Sequence, residues 1–112
     1  MLYYIHKNLQ YGNGFIGKGC VHPLEGLKRA SLDILVTKGV ISVFNVPPMD
    51  QLPGWRLRFK RFEEHGIDVH RFFAMGDDEI ADAIGSRPHV IAKWRAELRE
   101  LLGLNRAKIR SG

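Results

Sequence analysis

Cysteine is nearly absent: the 112-residue chain has only Cys20, which excludes an internal disulfide and any cluster of thiolate metal ligands. No apolar run approaches the ~18 residues that a membrane span needs, and Met1 to Gln10 is too polar to resemble a secretory signal. A cytoplasmic protein without a membrane partner is therefore expected. The length allows one domain or two very small units, and it is too short for a multi-domain enzyme.

Apolar residues make up 45% and charged residues 26%, the usage of an ordinary folded globule. Seventeen Lys and Arg against twelve Asp and Glu leave a net charge of +5, with five histidines in addition. Such a balance suits a polyanionic partner. Splitting the chain after Asp50 gives five basic against three acidic residues before it and twelve against nine after it. The second part is thus charge-dense rather than uniformly basic, and placement of the charges decides their meaning.

The first half reads as strands around one helix. Leu2 to Ile5 favours a strand, and Tyr11-Gly12-Asn13-Gly14-Phe15 offers an Asn-Gly pair for a tight turn, so a hairpin is expected over about Leu2 to Val21. Pro23 suits a helix start, and Leu24, Leu27, Ser31, Ile34 and Leu35 recur at helical spacing until Gly39, which suits a helix stop. Val40 to Val46 is a β-branched run ended by Pro47-Pro48. The expected order is β-β-α-β.

Beyond Pro47 to Pro53 every periodic segment is helical. Trp55, Phe59 and Phe62 form one stripe, with Gly66 as the stop. Val69 to Met75 fits a short helix that turns Phe72 and Phe73 inward. Asp77-Asp78-Glu79 suits the positive end of a helix with Ile80, Ala83 and Ile84 on its apolar side, ended by Gly85. Ser86 is placed to cap the last helix, Pro88 lies in its first turn, and Val90, Ile91, Trp94, Leu98 and Leu101 line it. Arg106, Lys108 and Arg110 have little to bury around them, so a flexible basic tail is expected from Asn105. The aromatic residues of these stripes are expected in the core rather than as platforms for bases.

Chemical motifs are thin. Gly12 to Gly19 contains a literal GxGxxG and comes near a phosphate-binding loop, but both motifs require a helix to open at once, and Cys20-Val21-His22-Pro23 opens none. His6, His22, His65, His70 and His89 stand at no ligand-like spacing with Cys20. Serines 31, 42, 86 and 111 show no legible nucleophile arrangement. No catalytic residue, metal, cofactor or small-molecule substrate is expected.

The informative stretch begins at Leu52-Pro53-Gly54-Trp55-Arg56 and runs through Phe62 to Gly66-Ile67, then Val69, Phe72, Phe73, Asp78-Glu79-Ile80-Ala81, Ala83-Ile84-Gly85 and Val90 to Trp94. It resembles the paired helix-hairpin-helix domain of uncharacterised bacterial proteins, over about residues 51–102. The resemblance implies a compact bundle of short helices and sequence-tolerant binding of duplex DNA, in which hairpin amides donate to phosphate. It would place Gly54, Arg56, Arg58, Lys60, Arg61, Ser86, Arg87, His89 and Lys93 at the nucleic acid, with both hairpins on one side. Arg56 departs from the pattern, because it stands where the hairpin has its second glycine.

Two alternatives stay open. Ala81 and Gly85 followed by Ile91 and Trp94 are similar to a helix-turn-helix, which would put Arg87, His89, Lys93 and Arg95 in the major groove. Glu63, Glu64, Glu97 and Glu100 alternate with the basic residues as on a solvated face, which suits a protein-interaction module of the same helical fold. The expected fold class is α+β: a small unit over residues 1–48, a helical domain over 49–104, and the tail over 105–112.

Overall fold

The computed structural model describes residues 1–104, so the expected tail lies outside the described residues. The fold is α+β. The chain divides into two compact units, Met1–Asn45 and the residues from Val46 onward.

In the first unit β1 (Leu2–Ile5) is the central strand of a three-stranded antiparallel sheet, between β4 (Val21–His22) and β5 (Ile41–Phe44). Between β1 and β4 the chain forms a second antiparallel pair, β2 (Leu9–Tyr11) with β3 (Gly14–Ile16). Tyr3 faces His22 and Leu9 faces Ile16 in one continuous register, so the segment from Leu2 to His22 is one long hairpin with an interruption. At that interruption Gly19, at φ +89°, donates to the Ile5 carbonyl at 2.7 Å, while the Ile5 N–H donates to the Cys20 carbonyl at 2.9 Å.

The turn of the hairpin is Gly12-Asn13, not Asn13-Gly14. Tyr11 pairs with Gly14, and only Gly12 of the two central residues has positive φ, +58°, which is the pattern of a type II′ turn with glycine first. This register sets Leu9 opposite Ile16, and both pack with Tyr11 against the core of the unit.

The helix α1 spans Arg29–Thr37 and begins six residues after Pro23. Leu24 explains the delay. It adopts φ +52°, its N–H donates to His22 Nδ1 at 2.9 Å, and its side chain is buried at 1% exposure. Positive φ costs a branched residue about 1–2 kcal/mol, and burying leucine returns roughly as much or more. The helix stops as expected at Gly39. Val40 N–H donates to Leu35 and Gly39 N–H to Val36, the paired bonds of a Schellman motif. Tyr3, Ile5, Leu24 and Ile41 form a small core, with Leu32 and Leu35 of α1 packed against it.

The second unit opens with a 3₁₀ turn, Met49–Gln51, followed by α2 (Arg56–Glu64), α3 (Val69–Ala74), α4 (Asp77–Ile84) and α5 (Pro88–Leu101). Trp55, Phe62, Phe72, Ile80 and Ile91 are fully buried in one core with Met49, Ile67, Ala81, Ile84 and Leu98. The aromatic rings touch edge to face or tilted: Phe62 lies 5.3 Å from Phe72 and 6.0 Å from Trp94, centroid to centroid.

Local signals account for the ends of these helices. Asp68 accepts the Arg71 N–H at 2.8 Å and caps α3, and Asp77, Asp78 and Glu79 occupy the first turn of α4. Gly66 and Gly85 stop α2 and α4 at φ +75° and +71°, and Ile67 N–H closes onto Phe62 at 2.9 Å. Two expectations need correction. Ala83 is exposed and Ala81 takes the buried place. Ser86 does not cap α5; its N–H closes the end of α4 on Ala81 at 2.8 Å, and Arg87 becomes the uncapped N-cap residue.

Candidate nucleic-acid interface

The nine expected contact residues separate into three groups: two arginines with partners inside the helical unit, five exposed side chains, and two turn residues. Arg58 is held inside the helical unit. Its guanidinium lies 5.4 Å from the Trp55 ring and 5.0 Å from the Trp94 ring, and Nη1 meets Glu97 Oε2 at 2.5 Å. Arg61 donates from Nη2 to the Ile84 carbonyl at 2.6 Å, which satisfies the C-terminal end of α4. Both arginines are therefore engaged in holding α2 against α4 and α5. Arg58 is half-buried by its contacts, whereas Arg61 stays exposed while it donates this bond.

Arg56, Lys60, Arg87, His89 and Lys93 are exposed. At roughly 100° per residue, Arg56 and Lys60 share an outward stripe of α2, and Lys60 is turned about 100° from Arg61. Glu63 and Glu64 continue that outward side. His89 and Lys93 are four residues apart on the side of α5 opposite Ile91.

Gly54 and Ser86 belong to the turns that open α2 and α5, and these turns have a common design. Gly54 has φ +79° and Gly85 has φ +71°. Each is followed within two residues by an arginine, Arg56 or Arg87, at a helix start with no side-chain cap and no acid in the first turn. The amides of Arg56, Leu57, Arg58 and His89 find no acceptor among the described residues. Such amides, at the positive end of a helix, suit an anion. By contrast α3 has Asp68 as its cap and α4 has three acids in its first turn.

The net charge is not concentrated where the site residues are. Residues 46–104 carry nine Lys and Arg against ten Asp and Glu, a balance of −1; residues 1–45 carry five against two, and residues 105–112 three against none. The basic character of the chain resides in the first unit and the last eight residues.

Arg95, which the helix-turn-helix alternative sends to a groove, is fully engaged elsewhere. Its Nε meets Asp77 Oδ1 at 2.7 Å, its two Nη atoms donate to the Phe72 and Met75 carbonyls at 3.1 and 2.8 Å, and the group lies 4.5 Å from the Phe72 ring. These roles escaped sequence reading because the hydrogen-bonded partners of Arg58, Arg61 and Arg95 lie 18 to 39 residues away. The Trp and Glu residues that hold Arg58 are visible in sequence, but their convergence is not.

Gly12 to Lys18 lie in the β2–β3 hairpin, and the next helix begins at Arg29, so the glycine run opens no phosphate-binding helix. Among the described residues no three His, Cys, Asp or Glu side chains converge to hold a metal ion, and no helix is long and apolar enough to cross a membrane. His22 is half-buried, and burial holds its imidazole pKa below the ordinary value against the opposing pull of Glu25. Its Nδ1 accepts the Leu24 N–H, so this histidine acts as a structural acceptor. In comparisons with known proteins, no family model, curated protein or solved structure matches the chain.

Proposed function

We propose that the chain is a non-catalytic, sequence-tolerant binder of duplex DNA, whose helical unit meets the phosphate backbone of the duplex at the starts of α2 and α5. Arg56, Lys60, Arg87, His89 and Lys93 supply the side chains, and the leading amides of the two helices supply fixed donors. One observation carries the reading: the left-handed glycine followed by an uncapped, arginine-led helix start occurs at both turns and at neither acid-capped helix of the unit. The helix-hairpin-helix resemblance over residues 51–102 agrees with it. Contacts of this kind read the backbone and carry little base information.

The test is a gel-shift titration of unrelated duplexes with the wild-type chain and the Arg56→Glu/Arg87→Glu variant. Comparable affinities across duplexes and a loss of about tenfold or more on reversal, as expected for two lost charged contacts, support the reading. No shift at low salt overturns it.

A protein partner is the second reading, favoured by the −1 balance of residues 46–104 and by Leu57, which is 78% exposed on the outward side of α2. It predicts that Leu57→Ser abolishes partner binding that survives high salt, whereas duplex binding by phosphate contacts is steeply weakened by salt.

A further inference from the structure

We propose that the segment from Leu24 to Lys28 is an acid-released latch: it stays closed on the core of the first unit while the His22 imidazole is neutral, and it opens when that ring takes up a proton. The starting observation is one nitrogen with two incompatible uses. His22 Nδ1 accepts the Leu24 N–H at 2.9 Å, and an imidazole nitrogen accepts only while it carries no proton. Protonation there sets two N–H donors against each other, and the bond is lost.

Leu24 is the residue on which this loss tells. It stands at φ +52°, the one non-glycine residue with positive φ among the described residues, a conformation that residues with a Cβ avoid. The His22 acceptor and the burial of the side chain, at 1% exposure, hold it there together. Leu24 packs with Tyr3, Ile5 and Ile41, so its departure uncovers apolar side chains of both β1 and β5. Little else fastens the segment. It turns at Gly26, φ +89°, with the Leu27 N–H donating to the Leu24 carbonyl at 3.4 Å, and the Tyr11 hydroxyl donates to the Glu25 carbonyl.

The groups around the ring set the direction of the response. The Tyr11 ring of β2 lies 5.0 Å from the imidazole, centroid to centroid, Tyr3 of β1 is the partner of His22 across the strand pair, and Glu25 brings a carboxylate from the segment itself. Burial holds the imidazole pKa below its ordinary value and outweighs Glu25, which favours the charged form. A group whose pKa is lower in the closed state than in the open one takes up its proton by opening, so acid favours the open segment. The latch lies wholly in the first unit, and it stands or falls independently of the duplex reading of α2 and α5.

The test is amide hydrogen exchange of the full chain, followed residue by residue by nuclear magnetic resonance at about pH 7.5 and 5.5, on either side of the ordinary imidazole range, and corrected for the intrinsic pH dependence of exchange. The Leu24 and Leu27 amides are expected to be less protected than those of Tyr4 and Ile5 in the central strand β1, as a segment that opens without the rest of the unit requires. Their protection is expected to fall several-fold from the higher pH to the lower, and at most about tenfold, the ceiling for one imidazole that charges near pH 6.5 only when open. His22→Asn, whose side-chain oxygen accepts an N–H two residues on without titrating, is expected to abolish that fall. The proposal is overturned if Leu24 and Leu27 are as protected as Tyr4 and Ile5, because the segment would then open only with the whole unit. It is equally overturned if their protection changes by less than about twofold between the two pH values, or if His22→Asn shows the same fall as wild type.

Discussion

Replacing Arg58 by alanine separates a structural arginine from a ligand-binding one. In the native unit its guanidinium lies within reach of two indole rings and pairs with Glu97, with 27% and 41% of the respective side chains exposed. Cation–π contacts at partly exposed sites contribute about 0.5–1 kcal/mol each, and the ion pair, screened by solvent at this exposure, about 0.2–1 kcal/mol. Alanine restores a few tenths through helix propensity. The expected loss is about 2 kcal/mol, which lowers the Tm of a domain of this size by roughly 8–16 °C.

Two further variants divide that loss. Glu97→Gln removes only the ion pair and is expected to cost at most about 1 kcal/mol. Arg58→Lys keeps the charge but loses the planar stack, so it falls between wild type and alanine. Thermal melts followed by near-ultraviolet circular dichroism of the tryptophans read the effect directly. The reasoning is refuted if Arg58→Ala melts within about 0.5 kcal/mol of wild type while the salt slope of duplex binding falls by about one unit, because Arg58 would then be a phosphate ligand.

Two other outcomes follow from the geometry. Arg95→Ala removes the donors to the Phe72 and Met75 carbonyls together with the partner of Asp77; chemical denaturation is expected to show a loss of about 2–3 kcal/mol, whereas a change under 0.5 kcal/mol would count against the clamp. His22 gives a pH signature: its folded pKa lies below the unfolded one, so its contribution is complete above the ordinary imidazole range. As pH falls the unfolded chain takes up the proton first, and the contribution is lost by the time the folded group titrates. Melts at about pH 7.5 and 5.5 should show a smaller acid loss in His22→Asn, which keeps an acceptor for the Leu24 N–H without titrating; an equal loss in both proteins refutes the assignment.

Much of the fold was legible because its determinants are local. Trp55 and Phe62 share a stripe and are fully buried, Gly39, Gly66 and Gly85 end helices, and Pro88 starts one. The register of the long hairpin from Leu2 follows from alternation. What escaped depends on contacts distant in sequence or on an unfavoured local state. Leu24 takes a left-handed conformation that its residue type disfavours, because the His22 acceptor and the core compensate for it, and α1 therefore starts late. The turn lies at Gly12-Asn13, one residue before the Asn13-Gly14 pair that the sequence favours.

The candidate site was legible only in part for the same reason. Sequence distinguishes an arginine on a polar helix face from a buried apolar residue, but not a free arginine from one whose partners arrive from another helix. Arg56, Lys60, Arg87, His89 and Lys93 are exposed, whereas Arg58 is taken up by Trp94 and Glu97, and Arg61, though exposed, donates to the Ile84 carbonyl.

The salt dependence of duplex binding tests the central claim most directly. Affinities of wild type and of the Arg56→Ala, Lys60→Ala, Arg87→Ala and Lys93→Ala variants, measured by fluorescence anisotropy between about 50 and 200 mM salt, give the slope of log K against log salt. Each of these variants is predicted to lower the slope by about 0.9, and Arg58→Ala, measured below its melting range, is predicted to leave it unchanged. Slopes unaltered in all four variants, or altered most in Arg58→Ala, would contradict the account.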